Sequence, residues 1–286
     1  MNIFALGPEG TYSHEAAEAL RRMVGMEDAG IALLDWNGDV YDAARSGRGY
    51  AVLPVENSVG GLVQEIAARR LADFRAGDGL RTVAEVGIPI EHHLLARPDF
   101  SDPVRKVISH PQALAQCRDA LDSLGIRERE TARSTAHAAA LVAKDERYRG
   151  YLAIASAHAA RAYGLRVYMR NAHGDHMLLT RFHLVRTPAV SGTPSPTGKD
   201  KMIMMVEMRN RPGALHALTG VFSKLSINLS MIHSLPLGDC AGHYAFYIEA
   251  ECHEDDAKGR KVRERVRNIA EKAIFLGSFP RNVQWG

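Results

Sequence analysis

Residues Thr187–Asp200 read TPAVSGTPSPTGKD, and the place where this stretch falls decides how the chain divides. Three prolines, two glycines and small polar residues interrupt the apolar pattern that runs on either side, which is the composition of a linker rather than of a packed element. It sets residues 1–186 apart from residues 201–286, each with its own hydrophobic pattern. A chain ending near Thr187 is therefore expected to stay soluble and functional.

Outward on the C-terminal side, Lys201–Arg209 alternates as a strand, and Pro212 and Gly213 open a helix that runs to about Leu225. Asn228–Pro236 and His243–Glu251 read as strands around a polar turn, Asp255–Lys272 as a charged helix and Ile274–Phe279 as a last strand. The order βαββαβ predicts a ferredoxin-like sandwich. On the N-terminal side, Ile3–Leu6, Gly49–Leu53, Val83–Ile90, Val104–Ser109 and Leu152–Ile154 read as strands, and Ser13–Met23, Pro111–Leu124, Thr135–Lys144 and Ser156–Tyr163 as helices. Such alternation predicts an α/β domain with a largely parallel sheet.

The 286 residues are 46% apolar and 24% charged, with a net charge of +3, so disorder is excluded and a nucleic-acid partner is not indicated. Cys117, Cys240 and Cys252 form no CxxC pair and no zinc-like spacing with histidine, and a sparse, odd count suits a reducing cytoplasm. No signal peptide and no membrane span is expected.

Four strand-to-helix junctions carry hydroxyl or amide side chains. Gly7–Ser13 (GPEGTYS) precedes a helix, where unpaired N–H groups and the helix dipole favour an anion and Thr11 and Ser13 add hydroxyls. Glu56, Asn57 and Ser58, in PVENSVGG, stand past the carboxyl end of a strand, where α/β sheets bind ligands. Ser109-His110-Pro111-Gln112 places proline at a first helical position, with Gln116 on the turns that follow, and Ser134-Thr135-Ala136 opens another helix. Helix capping would account for each alone. Together they suggest a cleft that holds a polyoxygenated anion by neutral donors, without a metal or cofactor. Thr180-Arg181-Phe182 begins a short apolar segment. Its hydroxyl could donate to a leaving oxygen while the arginine holds a carboxylate, although an edge strand with one charge is the plainer reading. His173 and His176 read as solvated loop histidines rather than metal ligands.

In chain order, GPEGTYSHEAA, LPVENSVGG, SHPQALAQC, STAHAAA, AIASAHAARAYGL and TRF resemble prephenate dehydratase throughout the N-terminal region, and NRPGALHALTGVFSKLSINLSMI resembles the ACT domain which that family carries. The resemblance implies two α/β lobes of periplasmic-binding-protein type with a cleft between them, residues of about 1–78 plus 165–186 and 79–164, followed by the ACT sandwich at 201–286. It implies decarboxylation and dehydration of prephenate to phenylpyruvate in phenylalanine biosynthesis, with no cofactor. Thr180 would assist departure of the hydroxyl, and Arg181 would orient it or bind a carboxylate. Asn57, Ser58, Ser109, Gln116, Ser134 and Thr135 would line the cleft, joined by Thr11, Ser13, Glu56 and Phe182. Gly213, Ala214, Leu215, Asn228, Leu229, Ser230, His233 and Ser234 would bind an amino-acid effector, phenylalanine by the family's precedent, for allosteric regulation. Paired ACT sheets would make a homodimer or homotetramer.

The chain departs from the family pattern at two places. Leu178 stands where an asparagine usually precedes the TRF block, and His233-Ser234-Leu235-Pro236 replaces Glu-Ser-Arg-Pro. The alternatives are an arogenate dehydratase or an amino-acid sensor without catalysis, and the latter would have no need of the Thr180 hydroxyl.

Overall fold

Apolar runs and capped helices build three sheets in the computed structural model, which describes residues 1–282 apart from 102, 105, 175–177, 190, 191, 193 and 239–241. His176 and Cys240 lie outside the described residues. The elements of the first sheet and its helices are β1 (Asn2–Leu6), α1 (Tyr12–Met23), β2 (Gly30–Leu34), α2 (Asn37–Arg45), β3 (Gly49–Asn57), β4 (Gly61–Leu62), α3 (Gln64–Ala76) and β5 (Arg81–Pro89). The chain then makes β6 (His93–Ala96), β7 (Lys106–Ser109), α4 (Pro111–Gln116), α5 (Arg118–Ser123), β8 (Glu128–Thr131), α6 (Thr135–Lys144), β9 (Tyr151–Ala155), α7 (Ala157–Tyr163) and β10 (Arg166–Met169), and returns as β11 (Leu179–Arg186). The C-terminal part is β12 (Asp200–Glu207), α8 (Ala214–Ser223), β13 (Leu229–Pro236), β14 (Tyr244–Ala250), α9 (Ala257–Ile269) and β15 (Lys272–Pro280), the βαββαβ order of a ferredoxin-like sandwich.

The first sheet runs β2-β1-β3-β11-β5, the second β10-β6-β9-β7-β8 and the third β13-β14-β12-β15. In the first, β11 is antiparallel to both neighbours while β1, β2 and β3 are parallel; in the second, β7, β8 and β9 are parallel. Buried apolar residues cover both faces of each, as parallel sheets require. Thr11, Ser134 and Ser156 accept from amides three residues on and start α1, α6 and α7.

Several expectations change. Residues 81–89 pair within the first sheet and 166–169 within the second, so the chain passes between the sheets near 90–92 and 170–178, later than about 78 and 165. Pro111–Leu124 is not one helix, because Cys117 (φ −97, ψ 11) separates α4 from α5. The charged helix stops at Ile269, since Lys272 already pairs with Glu207 in the sheet. Asp200 begins β12 rather than ending a linker. No helix of the described residues is long and apolar enough to cross a membrane.

The third sheet decides how the two parts meet. One face packs on α8 and α9. The other packs on Leu62, Ala67 and Phe74 of the first lobe, which share a cluster with Ile203, Met205, Met231, Leu235 and Tyr247. Met202–Val206 is therefore buried on both faces rather than alternating. The contact is close at Gly277 of β15 (φ 118), where a Cβ would lie 2.3 Å from the Thr82 carbonyl oxygen.

Candidate active site

A cavity of about 290 Å³ opens between the first two sheets and takes its walls from both. Tyr12 at the start of α1, Asn57 at the end of β3, Leu178 just before β11 and Thr180 at its start form one side. His110, Gln112, Ala113 and Gln116 of α4 and its cap, with Arg133, Ser134 and Thr135 at the start of α6, form the other. Ile90 and His92 line it from the passage between the sheets.

Thr180 lies opposite Asn57 in the β11–β3 register. The Val59 and Gly60 amides donate to Asn57 Oδ1 at 3.0 and 3.1 Å, which fixes the carboxamide, and Asn57 Nδ2 donates to Thr180 Oγ1 at 2.9 Å. With its oxygen accepting, Thr180 keeps its own proton to donate. No imidazole or carboxylate accepts from it among the described residues, so the geometry makes a hydrogen-bond donor, not an activated nucleophile.

The remaining groups are nearly all neutral. His92 Nε2 is 2.8 Å from Gln116 Oε1, and its Nδ1 is buried without a partner. Burial, followed by the nearby His173, His93 and His110, outweighs the Gln116 hydrogen bond and lowers the imidazole to about 4. Burial, then Glu15 and Glu91, raises the Tyr12 hydroxyl, which donates to the Glu91 carbonyl at 2.7 Å. Arg133 supplies a cation at the wall, and no carboxylate lines the cavity among the described residues. This arrangement can hold an anion and donate a hydrogen bond to a departing oxygen.

Of the residues singled out in the sequence, Asn57, Gln116, Ser134, Thr135 and Thr180 meet in this cavity. The others do not. Thr11 spends its hydroxyl on the His14 amide and the Leu6 carbonyl, and Ser13 is buried in α1. The Gly7–Ser13 loop does not form the expected anion site; it docks on the second lobe. A Cβ at Gly10 (φ 83) would lie 2.9 Å from Ala159 Cα, Ser156 Oγ donates to the Gly10 carbonyl, and the Tyr163 hydroxyl donates to that of Glu9. Ser58 Oγ accepts from the Leu179 amide. Ser109 is fully buried and donates to the Ile154 carbonyl at 2.7 Å. Phe182 is core against α1. Arg181, expected to hold a carboxylate of a ligand, is buried on the other side of the sheet with Glu56, Glu85 and Glu249. His173 is buried too, accepting from the His92 amide, and is not a solvated loop histidine.

Tyr12, His92, His110, Gln112 and Arg133 line the cavity without having been picked out. Tyr12, His110 and Gln112 sit inside the strand-to-helix motifs, where Tyr12 is a phenol between the two capping-type hydroxyls of Thr11 and Ser13. Nothing local marks His92 or Arg133. Outside the cavity, His14, Glu18 and His158 bring ligand atoms within 4.8 Å of one another, close enough to consider a metal, though His14 and His158 already face each other at 3.3 Å.

Two measurements separate these roles. Asn57→Ala is expected to lower kcat by about 10-fold or more, because it releases Thr180, and to cost about 1 kcal/mol of stability through the Val59 and Gly60 amides it caps. Ser109→Ala is expected to destabilise by about 1 kcal/mol while the folded protein keeps its kinetic constants. Equal kinetic losses in both would place Ser109 in the site after all.

His92, His93, His158 and His183 are all lowered, in each case first by burial. Unfolded histidines bind protons from about 6.5 downward while these bind them only at lower pH, so their stabilisation is complete above that pH and is lost as pH falls through it toward the folded values. Glu15 and Asp73, raised by burial, oppose this less strongly in number. The thermal midpoint is expected to drop by about 4 °C or more from pH 7.5 to pH 5. A flat calorimetric profile would mean that the buried rings are not neutral.

Two family models match the chain, one described as prephenate dehydratase over residues 3–189 and one as ACT domain over residues 202–268. A prephenate dehydratase of Mycolicibacterium smegmatis is 33% identical over 292 residues, covering 97% of this chain and 90% of that protein. Among solved structures, the prephenate dehydratase of Arthrobacter aurescens in complex with L-Phe is 31% identical, with a TM-score of 0.84 over 98% of this chain and 90% of its own. A chain described as GqqA, a novel type of quorum quenching acylase, is 26% identical, with a TM-score of 0.85 over 99% and 98%.

Proposed function

We propose, from the premise that this chain belongs to the prephenate dehydratase family and ends in an ACT domain, that it converts prephenate to phenylpyruvate in phenylalanine biosynthesis. The observation that carries the reading is the Thr180 hydroxyl, held by Asn57 as a donor in a cleft of neutral groups and one arginine.

In the reaction the ring carboxylate leaves as CO2, its bond electrons enter the ring, and the ring hydroxyl departs with a proton as water. Aromatisation supplies the driving force, so orientation and a donor at the leaving oxygen suffice. Thr180 donates to that oxygen. Arg133 and the Ser134–Thr135 helix start hold a carboxylate. Neutral donors grip the ring carboxylate without overstabilising the group that must leave.

The described walls favour prephenate over arogenate, whose ammonium would find no carboxylate there. They also favour a lyase over an acylase, which needs a base on its nucleophile. The test is to incubate the purified chain with prephenate and with arogenate and to follow phenylpyruvate and phenylalanine separately. Phenylpyruvate from prephenate is expected. Phenylalanine from arogenate, with prephenate left intact, would overturn the reading.

The regulatory reading is that phenylalanine binds where α8 begins and β13 runs along the sheet edge. Gly213 (φ 82) caps α8, and Leu215, Asn228, Ser230 and Ser234 are exposed, with Ala214, Leu229 and His233 half-buried beside them. The free edge of β13 suits side-by-side pairing of ACT sheets in a cytoplasmic homodimer or homotetramer. Leu235, in the place of the family's arginine, packs against the first lobe. With the charged pair gone, the binding difference between two states that inhibition requires is reduced, so the reading implies inhibition by phenylalanine weaker than is usual in the family.

A further inference from the structure

Side chains alternate across β11. Thr180 faces the cleft, and Arg181, 1% exposed, points the other way, out of the catalytic lobe and into the ACT sheet. There its guanidinium makes a two-pronged contact with Glu249 of β14: Nη1 donates to Oε2 at 2.7 Å and Nη2 to Oε1 at 2.8 Å. Such a fork sets orientation as well as distance. Arg181 also donates from Nη1 to Glu85 of β5 at 3.0 Å and from Nε to Glu56 of β3 at 3.1 Å. Lys201 of β12 lies 3.1 Å from Glu85 and 3.7 Å from Glu249, and the Tyr247 hydroxyl donates to Glu249 at 3.4 Å.

Burial alone would raise the Glu249 carboxyl, but Arg181 and then Lys201 hold it below its ordinary value, so the fork is ionised. The register ties this cluster to the cleft. Opposite the adjacent pair Thr180 and Arg181 stand the adjacent pair Asn57 and Glu56, before the ladder slips at Phe182. The two strands that hold the leaving-group donor thus carry, one residue on, the two side chains anchored beneath it. The anchor is firm, because β15 packs against β5 with no room for a Cβ at Gly277.

We propose that Glu249 is a positioning residue for the reaction: by gripping Arg181 from the ACT sheet, it fixes the β11–β3 register that presents Thr180 to the leaving oxygen. The catalytic site is then complete only with the ACT domain docked. This rests on the prephenate reading of the cleft. Loss of the fork frees Arg181 to move toward Glu56 and Glu85 and drags on Thr180, and a displacement near 1 Å can cost as much as about 10²-fold in rate.

The test is a double-mutant cycle on the full-length chain, with kinetics below each variant's thermal midpoint and a melting curve for each. Glu249→Gln is expected to lower kcat by about 10-fold or more with KM changed less than about 3-fold. In a Thr180→Ala background the same substitution should change kcat by less than about 2-fold, since the group it positions is gone. Glu249→Asp, which keeps the charge, should recover part of the rate. If Glu249→Gln does not fold, Glu249→Asp through the same cycle decides. A lowered melting point with unchanged kcat, or equal rate losses in both backgrounds, would reduce Glu249 to a structural contact. Absence of prephenate turnover by the unaltered chain overturns the reading of the cleft and Glu249's role with it. Wild-type turnover without a Glu249 effect overturns that role alone.

Discussion

Thr180→Ala is expected to lower kcat by about 10²-fold or more while KM changes far less, the pattern of an interaction made chiefly in the transition state. In the proposed reading the ground-state ligand is held elsewhere in the cleft, at Arg133 and the start of α6, which line its opposite wall. Thr180 contributes one hydroxyl whose lone pair is already engaged by Asn57, so what it adds is a proton directed at the departing oxygen. Thr180→Ser should keep most of the rate, because the hydroxyl remains within reach of Asn57. Folding should hardly change, since only a small, mostly buried group is removed. The measurement is steady-state turnover of prephenate with a melting curve for each variant. Near-wild-type kcat in the alanine variant would remove Thr180 from the mechanism.

A chain cut after Thr187 is expected to aggregate, or to lose at least about 10²-fold of its activity, where the linker composition alone suggested a severable catalytic domain. The cut strips Glu249 from Arg181 and Lys201 from Glu85, leaving Arg181 with Glu56 and Glu85 alone and opening this buried cluster to water. It also bares Leu62, Ala67 and Phe74, which are covered by Ile203, Met205 and Met231 in the whole chain. Size-exclusion chromatography, dye binding and turnover of residues 1–187 against the full chain would measure the effect. A monodisperse fragment with full-length kcat would show that the two parts are independent after all.

The secondary structure was legible where a signal was local. The hydroxyl caps at Thr11, Ser134 and Ser156 and the apolar runs at Ile3 and Leu152 mark elements that the fold contains. Gly30–Leu34, Asn37–Arg45 and Gln64–Ala76 carry weaker local signals, and α2 and α3 start without a side-chain cap. The cavity was half legible. Asn57, Gln116, Ser134, Thr135 and Thr180 lie in motifs that end strands or begin helices. Ser109 has the same kind of motif, yet its hydroxyl turns inward to Ile154, because a cap position says nothing about which way the side chain points. His92 and Arg133 sit in no motif, and only the folding of both lobes brings them to the cleft.

The sequence by itself determined the two α/β and βαββαβ patterns, the family, and the threonine, asparagine and glutamine that meet in the cleft, because each depends on short-range periodicity, capping or an ordered motif. The tertiary structure alone decided what Arg181 does. On a strand, neighbouring residues face opposite sides, so an arginine beside a candidate catalytic threonine is carried away from the cleft, and its partner is set by whatever packs beneath. Here that is Glu249, 68 residues further along. Charges so far apart in the chain find each other only through the docking of one sheet on another. A run such as Met202–Val206, apolar on both faces, hints that its sheet is covered twice, but it does not say by what.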